Sequence, residues 1–354
     1  MRPLSLLLLI PASVGAPAAV VYDFTPVTRQ IDAMMQTYPS INGASFIAIR
    51  YGAVIDQETF GTYTPATRIP IASASKWLSA LAIERLIGEG RMHWSDTVGQ
   101  YFPGAPADKL AITLGQLFSH TSGLTQYDAP CLGDHVNYTL DTCAQQILAT
   151  TLQYPPGSAF AYTGNGMQVG GRMAEIATGE SWDEIFQNEV TLPLGMPNTD
   201  FAADSLLPPY VPTQNPQLAG GARSTVGDYA NVVQMVVQQG RWNGAPYLAA
   251  DDIAEMQRDQ THGVPVIYTP DPLAYGYGYG EWRNAVDAQG NAVQVSSTGK
   301  FGTSPWIDNE TGVAAVFLVY SNYTLIEDDL RALWSTVRGV VTDPIFSDGF
   351  GNAP

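Results

Sequence analysis

Ser73 and Lys76 stand three residues apart at the head of an apolar run, Ile71-Ala72-Ser73-Ala74-Ser75-Lys76-Trp77-Leu78. Pro70 interrupts regular structure just before them, and neither Gly nor Pro then occurs until Gly88. With Leu81, Ile83, Leu86 and Ile87 in that window, the stretch predicts a buried helix beginning near Ser73. On such a helix, residues three apart share a face. Free N–H groups and the helix dipole favour negative charge at its start. A lysine buried there has its pKa pushed below the free value of about 10.4, and its neutral amine can take the serine's proton. That is the chemistry of an activated nucleophile. Two plainer readings stand beside it. Ser73 or Ser75 could serve as the N-cap, the commonest role of serine at a helix start. The Ser-x-x-Lys spacing also recurs at Ser297-Thr298-Gly299-Lys300, where Gly299, Gly302 and an alternating run before them place it at a strand end.

Composition narrows the field. The chain has 354 residues, 45% apolar and 14% charged, which is globular and long enough for one complex domain or two. A formal net charge of −17 argues against nucleic acid and against anionic membrane surfaces as partners. Residues 1–18 have the form of an export signal: Arg2, the apolar Leu4 to Ile10, then Ala16-Pro17-Ala18 as a cleavage site. That run is too short to span a bilayer, and no other stretch predicts an integral membrane segment. The expected location is therefore periplasmic or extracellular. In an oxidising compartment Cys131 and Cys143 are expected to pair, with two free buried thiols as the alternative. Two cysteines and no spaced histidine pair predict no metal site, and no cofactor is expected.

The elements that must position Ser73 and Lys76 follow in order. Val20 to Tyr38 has helix-like spacing, with Ile31, Met34 and Met35, and ends before Pro39. Ala44 to Arg50 and Ala53 to Phe60 form a hairpin around Tyr51-Gly52. Residues 92–215 read as helical segments between Pro- and Gly-rich loops, among them Cys143 to Leu152, Gln168 to Ala177 and Asp183 to Val190. A helix from Thr225 to Gln239 precedes strands at Tyr277 to Val286, Ala292 to Ser297 and Gly312 to Tyr320, and Leu325 to Val341 closes the chain as a helix. The fold class is α+β. An antiparallel sheet built from both chain ends (19–91 and 216–342) carries an inserted, mostly helical domain (92–215), and 343–354 form a flexible tail.

Further stretches lie along the chain: Leu117-Phe118-Ser119-His120-Thr121-Ser122-Gly123-Leu124, then Pro155-Pro156-Gly157-Ser158 with Phe160-Ala161-Tyr162-Thr163-Gly164-Asn165. After them come Pro193-Leu194-Gly195-Met196, Gly220 to Thr225, and Ser297-Thr298-Gly299. With Ser73-x-x-Lys76, and in this order, they resemble the serine β-lactamase and penicillin-binding-protein family, most closely its class C, esterase and D-peptidase branch. The resemblance covers about residues 25 to 340. It implies Ser73 as the acylated nucleophile, Lys76 as its activating amine, and Tyr162 as a proton shuttle, acting as phenolate or through Lys76. It also implies an oxyanion hole from the backbone N–H groups of Ser73 and Lys300. For Tyr162 to act as phenolate, its pKa of about 10 would have to fall beside an ammonium. The alternative is an ordinary core tyrosine.

Two positions depart from the family pattern. Its second motif is Tyr-x-Asn, but here Gly164 stands third and Asn165 follows. Its third motif opens with Lys, His or Trp, but here the position is Ser297. Gly164, Asn165, Ser297, Thr298 and Gly299 remain the expected substrate-binding positions, with one hydrogen bond available from Ser297. The lost cation and the displaced amide count against β-lactams and cell-wall peptides. A small uncharged ester or amide needs less from those positions, so the expected activity is that of an esterase. A β-lactamase or D-amino-acid peptidase, and a non-catalytic ligand-binding relative, are the alternatives. His120 is expected to be an interior histidine rather than a triad base, since no Gly-x-Ser-x-Gly occurs. Trp306, Tyr127 and the tyrosines of 275 to 279 are open to either pocket lining or plain packing.

Overall fold

The computed structural model describes residues 20–133, 137–201, 213–272 and 274–346. The proposed export signal lies outside them. The elements that matter to the site are α1 (Thr25–Thr37), β1 (Gly43–Arg50), β2 (Ala53–Gly61) and α2 (Ser75–Gly88). After them come α3 (Leu114–Phe118), α4 (Leu140–Leu148), α5 (Asn165–Thr178) and α6 (Val226–Val237). The chain closes with β3 (Trp282–Val286), β4 (Ala292–Ser296), β5 (Ser304–Asp308), β6 (Val313–Val319) and α7 (Tyr323–Thr342).

The main sheet runs β3-β4-β5-β6-β1-β2 with every neighbouring pair antiparallel, so strands from both chain ends meet where β6 pairs β1. Side chains alternate across a strand, and here both faces are covered. Ile47, Ile49, Ala314, Val316 and Leu318 face one core, while Phe46, Ala48, Ala315, Phe317 and Val319 face another. That is why β6 reads as an unbroken apolar run rather than an alternating one. α1 and α7 cover the second face through Ile31, Met34, Leu330 and Leu333. α2 and α6 cover the first, in a core that continues without a break into Leu117, Phe118, Ile147 and Met167 of α3, α4 and α5. The helices within residues 92–215 therefore share one core with α2.

Several boundaries differ from the sequence expectation. The first helix starts at Thr25, because Val20–Val21 pair with Ile345–Phe346. That pairing also orders the start of the segment expected to be a flexible tail; residues 347–354 lie outside the described residues. The strand expected from Tyr277 begins only at Trp282, after a turn-rich run with positive φ at Gly276 and Gly280. β5 carries no clear strand signal in the sequence, because Pro305 sits inside it and proline argues against a central strand.

Candidate active site

The short strand Ile69–Pro70 pairs with Ala222–Ser224 and leads into a 3₁₀ turn, Ala72–Ala74, from which α2 continues. The turn requires φ +46° at Ala72, a left-handed conformation that costs a non-glycine residue about 1–2 kcal/mol. Ser73 follows it directly and reaches the cleft. Neither serine is the N-cap of α2; that position is Ala74, with no side-chain cap bond. The Ser75 hydroxyl instead donates to the Ala72 carbonyl (2.6 Å) and accepts from the Ala222 N–H (2.9 Å). Tyr229 on α6 donates to the Ala74 carbonyl at 2.7 Å. Two glycines let other backbone press against this segment: a Cβ on Gly299 would stand 2.1 Å from the Ile71 oxygen, and one on Gly280 2.5 Å from the Lys76 oxygen. The Ser73 segment is thus held from three sides.

One helical turn on, Lys76 Nζ lies 3.1 Å from Ser73 Oγ and donates to the Ala219 carbonyl at 2.7 Å. Lys76 is 3% exposed, and burial brings its pKa down to about 7, against a smaller upward pull from the Asp128 carboxylate. A sizeable neutral fraction is therefore available near neutral pH. The same ammonium sits 4.5 Å from the centre of the Tyr162 ring. Tyr162 hydrogen-bonds the Ser73 side chain, so alcohol, amine and phenol converge. The phenol differs from the expectation in one respect. Burial raises its pKa, the Ser73 hydrogen bond offsets this only in part, and the Asp128 charge adds to the rise. A neighbouring ammonium does not make Tyr162 a phenolate; the group stays a neutral hydroxyl.

These side chains open into a cleft of about 990 Å³ lined also by Gly164, Thr298 and Lys300. A profile of the family described as Beta-lactamase matches residues 31–337. The chain belongs to the Beta-lactamase family. It is a serine hydrolase of that family. A solved structure from Bacteroides dorei DSM 17855, provisionally named a beta-lactamase, is 31% identical with a TM-score of 0.79, over 91% of this chain and all (100%) of that one. A family VIII carboxylesterase shares the fold, with a TM-score of 0.68 at 19% identity over 87% of this chain and 94% of that chain. Protein flp of Staphylococcus aureus strain N315 is 28% identical over 177 residues, which is 46% of this chain and 35% of that protein. This chain therefore aligns with only about a third of that relative's length.

Within the Beta-lactamase family frame, the two departures acquire a structural account. Asn165 does not line the cleft. It is fully buried; its Oδ1 accepts from the Ala129 N–H (3.0 Å) and its Nδ2 donates to the carbonyls of Thr125 (3.0 Å) and Tyr127 (2.9 Å). The amide expected to face substrate instead fixes the loop 125–129. Ser297 is likewise turned inward, 3% exposed, donating to the Ser73 carbonyl (3.3 Å) and the Gly280 carbonyl (3.0 Å), so its hydroxyl supports the nucleophile rather than reaching into the cleft. Gly299 acts through close approach, as above. Thr298 does line the cleft, its hydroxyl 2.8 Å from that of Ser304.

His120 is interior as expected, its Nδ1 accepting from the Thr163 N–H at 3.4 Å, its ring packed on Tyr162 and Tyr277. Burial, and then the Lys76 charge, push its pKa well down. Tyr127 lines the cleft; Trp306 stacks on Trp334 in the second core, and Tyr277 packs behind His120. Cys131 and Cys143 are bridged, tying the end of the 125–133 loop to α4. Sequence reasoning missed Asp128, Trp282 and Tyr268, all in the cleft lining. Trp282 stacks on Tyr162 at 5.1 Å, and the Tyr268 carbonyl accepts from the Tyr162 N–H at 3.0 Å. No local pattern marks them, since they reach the site only through tertiary folding.

Proposed function

We propose that the chain is an exported hydrolase that cleaves small carboxylic esters, and small amides more slowly, through an acyl-enzyme on Ser73. The observation that carries this reading is the 3.1 Å contact between Ser73 Oγ and a Lys76 amine whose pKa is lowered to about 7. Neutral Lys76 takes the Ser73 proton as Oγ attacks the carbonyl carbon. The backbone N–H groups of Ser73 and Lys300 are proposed to hold the oxyanion. The proton then passes through the Tyr162 hydroxyl to the leaving alcohol, and a water attacking along the reverse route frees the acid. Ester is preferred to β-lactam because Ser297 offers no cation to a carboxylate and Asn165 no amide to an acylamino side chain. Export is supported by the form of residues 1–18 and by the Cys131–Cys143 bridge. Among the described residues no helix is long and apolar enough to cross a membrane.

The name of the Bacteroides neighbour favours β-lactam hydrolysis as a second reading. Turnover of p-nitrophenyl butyrate against nitrocefin, with Ser73→Ala as control, separates the two. Faster nitrocefin turnover would reverse the assignment. Failure of a fluorophosphonate to label the chain through Ser73 would leave only ligand binding.

A further inference from the structure

The Beta-lactamase family pattern places an asparagine amide two residues after the motif tyrosine. Here Gly164 vacates that position, and a carboxylate has moved in. Asp128 Oδ1 accepts from the Gly164 N–H at 3.1 Å and would lie 3.3 Å from a Cβ built on Gly164. Asp128 is exposed to the cleft beside Ser73, Lys76 and Tyr162, and its charge acts on both of the latter. The carboxylate is held in place. The three Asn165 hydrogen bonds clamp residues 125, 127 and 129 around it, and the disulfide fixes the chain three residues later at Cys131. Asp271, which also lines the cleft, is tied to Arg331. Asp128 makes no ion pair with a lysine or arginine among the described residues, and Gly164 takes up only one of its two oxygens. At the third motif the cation expected by the family is absent and Ser297 is turned away. Close to the reacting carbonyl the cleft has exchanged a neutral donor for an anionic acceptor.

We propose that Asp128 holds a protonated amine on the acyl part of the substrate, so that the preferred esters are those of free amino acids. The inference rests on the hydrolase reading above and adds the substrate class. A charge-assisted hydrogen bond, about twice as strong as a neutral one, would orient the carbonyl toward Ser73.

The test uses four benzyl esters with a common leaving group: those of glycine and β-alanine, and of their N-acetyl forms. The wild-type chain is expected to favour the free-amine esters by roughly tenfold or more in kcat/KM. Asp128→Asn keeps the shape and is expected to remove most of that preference, chiefly through KM. A general lesion would lower all four esters alike and leave the ratio intact. As a check on the unmodified chain, the preference should shrink with added salt, because the contact is charged and reached by solvent. Ser73-dependent turnover indifferent to the amine, or a ratio unmoved by Asp128→Asn, would overturn this inference and leave the hydrolase reading standing. Absence of turnover of any ester would overturn both.

Discussion

Ser73 and Ser297 each stand three residues before a lysine, and both lie against the same cleft wall. Around Ser73 the backbone is helical, so three residues bring Lys76 Nζ to 3.1 Å from the hydroxyl. Around Ser297 the backbone is leaving β4, where residues three apart point to opposite faces. There Ser297 turns into the protein while Lys300 stands exposed. The first pair has its amine desolvated and its hydroxyl open to the cleft. The second has its hydroxyl buried and its amine in water. A sequence spacing acquires chemical meaning only from the period of the backbone that carries it. The second serine still contributes, by donating to the carbonyl of the first.

The sharpest way to break this comparison is to remove each hydroxyl in turn. Ser73→Ala is expected to abolish ester turnover and fluorophosphonate labelling. Lys76→Ala and Tyr162→Phe come next. Positioned proton transfer is worth roughly 10²- to 10⁴-fold, and each is expected to lose that much in kcat. The pH profile sharpens the assignment. Lys76 must be neutral to act, so kcat/KM should rise with pH through about 7. A neutral Tyr162 predicts no second rise due to phenolate below pH about 10. An ascending limb left in place by Lys76→Ala would remove the lysine from the base role.

The helix that carries Lys76 holds a second group displaced toward neutrality. Glu84 is 2% exposed, and burial raises its pKa to about 7, with Asp252 and Glu255 adding to the rise and the Trp94 Nε1–H bond (2.8 Å) opposing it. Between its ordinary value of 4.5 and about 7, the folded chain holds a proton that the unfolded chain has lost, so stability falls as pH rises through that window. For Lys76 the unfolded chain holds the extra proton between about 7 and 10.5, so stability rises with pH there. Glu84→Gln is expected to remove the falling limb, a relative gain on the order of 2 kcal/mol at neutral pH, read by urea unfolding from about pH 5 to about pH 7. An unchanged slope would mean that the carboxyl is solvated in the folded chain.

Much of this was legible in sequence, and the illegible part has a common physical origin. Ser73, Lys76 and Tyr162 sit in short local patterns, and the sheet strands announce themselves by apolar content, so the fold and the converging trio could be read. Asn165 could not be placed, because one position along the start of α5 decides whether an amide faces the cleft or the loop at Thr125 to Ala129. Asp128 carries no local signal; it matters because Asn165 and a disulfide bring its loop to Gly164. Ala72 carries no sequence signal although its positive φ sets the turn that leads into Ser73. The placement of Asp128 and Asn165 depends on contacts between distant segments, whereas the approach of Lys76 to Ser73 needs only a local spacing on a helical backbone.

Ser297→Ala makes the smallest change and tests the comparison most closely. The substitution removes a hydroxyl that donates to the Ser73 and Gly280 carbonyls, leaving the deeper of these acceptors without its side-chain donor. The cost is expected to be about 1 kcal/mol of stability. The nucleophile's backbone N–H, one proposed arm of the oxyanion hole, belongs to the same residue whose carbonyl Ser297 supports. A loosened Ser73 should therefore lower kcat a few-fold and leave KM nearly unchanged, because the hydroxyl does not reach into the cleft. A loss expressed mainly in KM would mean that Ser297 turns outward to touch substrate. A loss as deep as that of Ser73→Ala would mean that Ser297, just past the end of β4, takes part in the chemistry, and that the backbone carrying each serine does not separate the two pairs.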